Sequence, residues 1–238
     1  MDTKPRAVPT VVYEDNHLIA IHKPHGMPSQ ADETGDLAAN DWVAAYLKET
    51  YQKPGNVYVG LLHRLDRPAA GLLLLAKTSK AAERMSAQFQ KGQVGKKYLI
   101  GTLAIPQPRA GQLQHYLGPV PGQTNIMRAY PQAGADRKLA RLSYTVMADS
   151  GGKALVEVDL ETGRKHQIRV QMAAIGCGVI GDLRYNKTTP LPDQSIALLS
   201  WKMEFEHPVR KGEIIRLTSP LPADGGPFGK LLQAAKLL

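Results

Sequence analysis

The stretch Ala140–Leu160 reads ARLSYTVMADSGGKALVEVDL. Leu142, Tyr144 and Val146 alternate with polar residues before Ser150-Gly151-Gly152, and Ala154, Val156, Val158 and Leu160 alternate after it. A period of two sends successive side chains to opposite faces of a strand. Two such runs around a glycine-rich turn predict a β-hairpin with one apolar face. Such a face must be covered, so the hairpin predicts a larger sheet with helices packed on it.

The same pattern recurs outward along the chain. Residues 11–29, VVYEDNHLIAIHKPHGMPS, hold two short β-type runs around Glu14-Asp15-Asn16, ended by Pro24, Gly26 and Pro28. LLLLAK, from Leu72, is a continuous apolar run of the kind found in strands buried on both faces. VYVGLL, from Val57, and KKYLIGTLAI, from Lys96, predict further strands, and ALLSWKMEFEHP and EIIRLTSPL predict the last two. In the first of these last two, Leu199, Trp201, Met203 and Phe205 share one face.

Helices are fewer. DLAANDWVAAYLKETYQK has Val43, Tyr46 and Leu47 at helical spacing, with Asp36, Asn40 and Asp41 as candidate caps. Thr78 or Ser79 caps a second helix with Ala82, Met85 and Phe89 on one face and Gly92 as its stop. TGRKHQIRVQMAAIG predicts a third, capped by Thr162 and running to Gly176. Residues 106–137, rich in Pro, Gly and Gln with Arg109, Arg128 and Arg137, predict a long ordered excursion near the substrate and outside the core. The expected fold is α+β: a single domain over 11–238 on a mixed, largely antiparallel β-sheet flanked by helices and loops, with residues 1–10 a flexible lead-in.

The chain has 238 residues and a net charge of +9, and its pI is about 9.6. That balance suggests either a polyanionic partner, nucleic acid first and an anionic membrane surface second, or a soluble basic enzyme whose charge only sets solubility. One cysteine, Cys177, excludes an internal disulfide and a thiolate metal cage, and suits a reducing cytosol. The first residues have no apolar signal core and no run approaches membrane-spanning length, so a cytoplasmic protein is expected. The seven histidines show no metal-ligand spacing. No phosphate-loop or dinucleotide glycine fingerprint occurs, so no cofactor and no metal are expected.

Three constellations carry candidate chemistry. In HRLDRPAAGLLLLAKT, from His63, Asp66 stands between Arg64 and Arg67 in a loop held by Pro68 and Gly71 before the apolar strand. A carboxylate kept charged at a cleft floor needs a cation partner and serves as nucleophile or base. The bland reading is a solvated surface pair. In GRKHQIR, the spacing puts Arg164, Lys165 and His166 in the first turn of the third helix and Arg169 one turn beyond Lys165. Cations there oppose the helix dipole, so either an anion faces them or the segment is a basic surface turn. Tyr98, after Lys96 and Lys97, is a packing residue or an aromatic platform for a flipped base, with the lysines on flanking phosphates.

HRLDRPAAGLLLLAKT, KKYLI and GRKHQIRVQMAAIGCGVIGDLRY, in this order, resemble the RluA-type pseudouridine synthases. The opening segment is similar to that family's E-D-x-x-L…N-K-P-x-G. The likeness runs from near residue 11 to near 217. It departs at Ala69-Ala70, where the family usually has Thr-Ser, and at Gln171, where it usually has His. The resemblance implies a pseudouridine synthase fold, a catalytic domain without an N-terminal RNA-binding module, and isomerisation of uridine within ribosomal or transfer RNA; the sequence is silent on oligomeric state, a monomer being the simplest case. It implies Asp66 as the essential acid, either attacking the sugar or taking a ribose proton. It implies Arg169 as the partner that keeps Asp66 ionised, Tyr98 stacking on uracil, and Ile168 as an apolar wall. Arg64 would fill the gap left by the base, and His63, Lys97, Arg164, Lys165 and His166 would contact substrate or RNA. Two other classes are weighed: a non-catalytic RNA-binding or chaperone protein on the same fold, motivated by Ala69-Ala70, and a glycosidic hydrolase, which lacks a second carboxylate motif.

Overall fold

The computed structural model describes residues 8–238. Most of the expected lead-in lies outside the described residues. Along the chain come β1 (Thr10–Glu14), β2 (Leu18–Lys23), α1 (Ala39–Thr50), β3 (Gly60–Leu61), β4 (Ala70–Ala76) and α2 (Ser79–Gln90). Then follow β5 (Gly95–Thr102), β6 (Ala110–Pro119), β7 (Met127–Tyr130), β8 (Lys138–Ser150), β9 (Lys153–Leu160) and α3 (Gln167–Ala174). The chain closes with β10 (Leu198–Glu206), β11 (Ile214–Thr218) and the short α4 (Lys230–Ala234). The α+β class and the largely antiparallel pairing are as the hairpin pattern predicted.

The chain separates into two compact units. The first contains residues up to Val94 and Ser200–Pro220. Its strands lie in the order β1-β2-β4-β10, with β3 beside β4 and β11 beside β10. Every residue of β4 is buried, as its unbroken apolar run predicted. Leu72 and Leu74 pack with Leu18, Met85, Met203 and Phe205 in one cluster. Each such leucine contributes about 1.5–3 kcal/mol on burial. Thr78 caps α2, its hydroxyl accepting from Ala81 N at 3.2 Å. The candidate caps of α1 are not used: the N-cap is Ala38, with no side-chain bond. Asp36 is instead drawn to Arg67. The strand expected over VYVGLL shrinks to Gly60–Leu61.

The second unit contains Gly95–Leu199 and Leu221–Leu238. Its strands run β5-β9-β8-β6-β7. The β8–β9 hairpin forms in the expected register, Val146 opposite Val156 and Tyr144 opposite Val158, with a bulge between Val146 and Ala148. Gly151 and Gly152 both take positive φ (59° and 77°), as a tight hairpin turn of this twist demands. The excursion expected over 106–137 is corrected. Residues 110–119 and 127–130 are strands, and Leu117 is buried in a cluster with Ala140 and Val170. Helix α3 packs on β6 and β7, and α4 on β8 and β9.

Candidate active site

The acid loop, residues 62–69 of the first unit, is built from below by KPHGMPS. Ser29 Oγ accepts from Leu65 N and donates to Leu65 O, both at 2.9 Å. Gly26 N donates to Arg67 O (2.8 Å), and Ala69 N closes a turn onto Asp66 O (3.0 Å). His25 Nδ1 lies 2.8 Å from Pro68 O. Beneath them Lys23 is 0% exposed. Its ammonium donates to the carbonyls of Pro24 (2.9 Å), Met27 (2.8 Å) and Ala69 (2.7 Å). The ammonium, with three protons, thus serves these carbonyls from both sides of the loop, and Arg67 O lies farther off at 3.5 Å. Burial pushes the Lys23 pKa down to about 7, and the charge of Asp66 works against that fall.

This geometry accounts for Ala69-Ala70. Both side chains are buried and small, and the loop is held through backbone carbonyls that any residue supplies. It also changes the reading of the flanking arginines. Arg67 turns away to Asp32 (2.7 Å), Asp36 and Thr34 (2.6 Å), whereas Arg64 is exposed. His63 Nε2 accepts from Leu74 N (3.0 Å), and its ring stacks on Phe89 at 5.3 Å. The imidazole therefore ties the loop to β4 and α2.

In the second unit, Tyr98 stands on β5 opposite Val158 and is 7% exposed. Lys97 forms an ion pair with Glu157 at 2.6 Å. Lys96 is partly buried, which lowers its pKa, and Asp159 opposes the shift.

The third helix begins later than predicted. Arg164, Lys165 and His166 precede it; α3 starts at Gln167. Thr162 is no N-cap: its hydroxyl donates to Gln167 Oε1 (2.8 Å) and accepts from Arg141 N (2.9 Å). His166 takes the N-cap place in left-handed conformation (φ 54°), with Nδ1 2.6 Å from Tyr185 Oη. Such a conformation costs an L-residue about 1–2 kcal/mol, so this corner is held by its surroundings. Arg164 Nε donates to Leu139 O (2.9 Å) and Lys165 Nζ to Asn125 Oδ1 (2.5 Å).

Ile168 and Arg169 are buried in α3. Arg169 forms a bidentate pair with Asp182: Nε to Oδ2 at 2.7 Å and Nη2 to Oδ1 at 2.8 Å. The two side chains are 5% and 1% exposed. The guanidinium also lies 5.2 Å from the centre of the Tyr185 ring. Gln171 reaches between β6 and β8, its Nε2 near Leu113 O (3.3 Å), Ala140 O (3.3 Å) and His115 Nδ1 (3.1 Å).

Lys23, Ser29, Asp182 and Tyr185 were not singled out from sequence. Their signals were present in KPHGMPS and GDLRY, but nothing local to those segments reveals that they hold Asp66 and Arg169. Among the described residues no group of His, Cys, Asp and Glu is arranged to hold a metal, and no helix is long and apolar enough to cross a membrane.

Comparison with known proteins identifies the family. Residues 17–174 match the family model described as RNA pseudouridylate synthase. The chain is 33% identical over 96% of its length to the ribosomal large subunit pseudouridine synthase D of Nitrosomonas europaea, and spans 65% of that protein. It is 31% identical over 92% of its length to an uncharacterized RNA pseudouridine synthase of Chlorobaculum parvum, 73% of which is covered. Human RNA pseudouridylate synthase domain containing 4 has the same fold, with TM-score 0.75 and 22% identity over 95% of this chain and 92% of that one. The acid loop on its lysine support and the anchored arginine helix both fall within the matched segment, and the chain belongs to the RNA pseudouridylate synthase family.

Proposed function

We propose that this chain isomerises uridine to pseudouridine within ribosomal or transfer RNA, acting as a cytoplasmic monomer without metal or cofactor. The observation that carries the reading is the acid loop: Asp66 sits on a turn fastened by Ser29, Gly26 and fully buried Lys23. A loop so fixed keeps a carboxylate in one place while a nucleotide enters, and preorganisation of this kind is what catalysis needs. The ribosomal arm is supported by the name of the Nitrosomonas relative.

In this reading the target uridine leaves its stack and enters beside Asp66, at a cost of a few kcal/mol. The N1–C1′ bond breaks, uracil turns, and C5 bonds to C1′. C5 loses its proton to solvent and N1 gains one, so product and substrate are isomers. Asp66 either attacks C1′ or takes a proton from the ribose. Arg169, whose Nε and Nη2 are occupied by Asp182, is the cation that keeps Asp66 ionised in this reading. Tyr98 stacks on the base and Ile168 walls the pocket. Arg64 fills the vacated place in the RNA. Arg164 and Lys165 meet phosphates, His166 shapes the turn that carries them, and Lys97 and His63 act through the segments they brace. Binding then weakens as salt rises, because phosphate contacts release counterions.

The test is tritium release from RNA labelled at uridine C5. The wild-type chain releases label without strand scission or free uracil, and Asp66→Asn releases none while still binding RNA. A binder without activity releases nothing even as wild type, and a glycosidase liberates the base. Near-normal turnover in Asp66→Asn would remove the acid from the mechanism.

A further inference from the structure

A cleft of about 500 Å³ opens in the second unit between the β6–β7 hairpin and the Gly163–Lys165 loop. That volume lies in the range of about 300–1,000 Å³ typical of small-ligand sites. None of its lining comes from the acid loop. The floor is apolar, made by Leu117, Pro119 and Met127, and Lys138, Arg164 and Lys165 stand around it. The floor is also fixed: Leu117 is buried against Ala140 and Val170, and Met127 N donates to Tyr185 Oη at 3.2 Å.

The charges here are treated differently from those of the first unit. There, Arg67, Lys77, Arg210 and Arg216 each reach a carboxylate. Around the cleft the cations reach neutral groups. Arg164 donates to Leu139 O, and Lys165 and Arg184 both donate to Asn125. The Arg137 guanidinium lies 3.8 Å from the Tyr130 ring centre. Their hydrogen-bonding is met by these contacts but their charge is not. Between Pro119 and Arg141 the sequence has Arg128, Arg137, Lys138 and Arg141 against Asp136 as the sole carboxylate. An apolar floor under three cations against one carboxylate, Asp136, in the lining matches a ligand with one flat hydrophobic face and an attached anion. A nucleotide of single-stranded nucleic acid has that form.

We propose that this cleft seats one unstacked nucleotide of the bound RNA, distinct from the uridine that is isomerised. Its base lies on Leu117, Pro119 and Met127, and its phosphates face Lys138, Arg164 and Lys165. The proposal rests on the RNA-substrate reading above and adds a second holding point on the strand. Stacking on a side-chain floor tolerates any base, so the site contributes affinity and strand register more than sequence choice.

The test uses the full chain and two substitutions at exposed cleft positions with opposite expected signs. Ala135→Trp fills the cleft and should weaken binding of a fluorescein-labelled oligouridylate by about tenfold, as losing one stacked base does. Asp136→Asn removes the opposing charge and should tighten it by about threefold at low salt. A 4-thiouridine oligomer on the Asp66→Asn chain should cross-link within residues 117–138. Circular dichroism of both variants should match wild type, and a misfolded Ala135→Trp passes the decision to Asp136→Asn and the cross-link. If the wild type binds the oligomer but neither variant changes affinity and the cross-links fall elsewhere, the cleft assignment fails and the isomerase reading stands. If polyglutamate binds as tightly and responds alike, the cleft senses charge only and the proposal fails. If the wild type binds no RNA and releases no tritium, the functional reading itself has failed.

Discussion

Removing the Asp182 carboxylate tests the second unit where it has least tolerance. Arg169 cannot shed its proton, and it is 5% exposed with both forked bonds on a carboxylate that is 1% exposed. Asp182→Ala therefore takes from a buried cation the carboxylate that holds two of its bonds. Breaking a buried pair from one side costs about 3–5 kcal/mol, and the Arg184 N–H bond to Asp182 Oδ1 at 3.1 Å is lost as well. Asp182→Asn keeps one oxygen but turns an N–H group toward the guanidinium, so a loss near about 3 kcal/mol is expected. With an m-value of about 2 kcal/mol/M, that moves a urea midpoint by roughly 1.5 M. Both tryptophans, Trp42 and Trp201, belong to the first unit, so unfolding is followed by far-UV circular dichroism. A double variant, Arg169→Met with Asp182→Leu, removes both charges and should recover roughly half of the loss or more, since apolar pairs replace buried ion pairs at little cost. It should still release no tritium. An Asp182→Ala chain within about 0.5 kcal/mol of wild type, the scatter of ordinary surface substitutions, would refute the reasoning.

Three further outcomes are expected. Lys23→Met strands the carbonyls of Pro24, Met27 and Ala69 and should cost about 1–3 kcal/mol. Because burial sets the Lys23 pKa near 7 against an ordinary 10.5, the unfolded chain holds more protons between those values, so wild-type stability should rise with pH across that window and the variant should lose that rise. Burial alone would raise the pKa of Asp15, but bonds from Tyr13, the backbone of His17 and Leu18, and His207 hold it down to about 2. Its stabilisation is then complete above pH 3.8 and lost as pH falls toward 2, and an acid titration of Asp15→Asn should lack that component. Gly71→Ala would place a Cβ 2.3 Å from Ser200 O at φ +110°, contact with backbone that no side-chain rotation relieves, and should cost about 3 kcal/mol or more by urea titration.

What the sequence disclosed was local. The β8–β9 hairpin, the buried β4 and the Thr78 cap each write their pattern within a few residues. Strand β6 does not. Its residues AGQLQHYLGP are mostly exposed or half-buried, and a Cβ at Gly111 would lie 3.1 Å from the Tyr144 hydroxyl, so that ring would have to give by a few tenths of an ångström. Its pairing with β8, Leu113 opposite Leu142, exists only at long range. Thr162 misleads for a related reason. The Ser/Thr cap signal assumes that its hydroxyl serves the next helix, but Arg141 on β8 accounts for part of its bonding. Of the candidate catalytic residues, Asp66 and Arg169 were visible as motif residues, whereas Lys23, which supports the first, and Asp182, which anchors the second, become legible only once each segment has folded.

The two buried cations differ in kind, and the difference suits what each supports. Lys23 sits among neutral carbonyls, where an ammonium forms three bonds yet carries no ionic partner in those bonds. Such a group settles near neutral pKa and adds only a weak positive field beneath the acid. Arg169 is set against a carboxylate, which a guanidinium needs because it has no neutral form to retreat to. Exchanging the residue types would fail at both places. An arginine at 23 would bring a planar fork to carbonyls of Pro24, Met27 and Ala69 that converge on one point. A lysine at 169 would give up one of the two parallel bonds to Asp182 and leave its aim free to rotate. Lys23→Arg and Arg169→Lys, each conserving charge, should therefore lose tritium release more severely than they lose stability. Equal loss of both would mean that these cations hold the fold and do nothing to aim the acid.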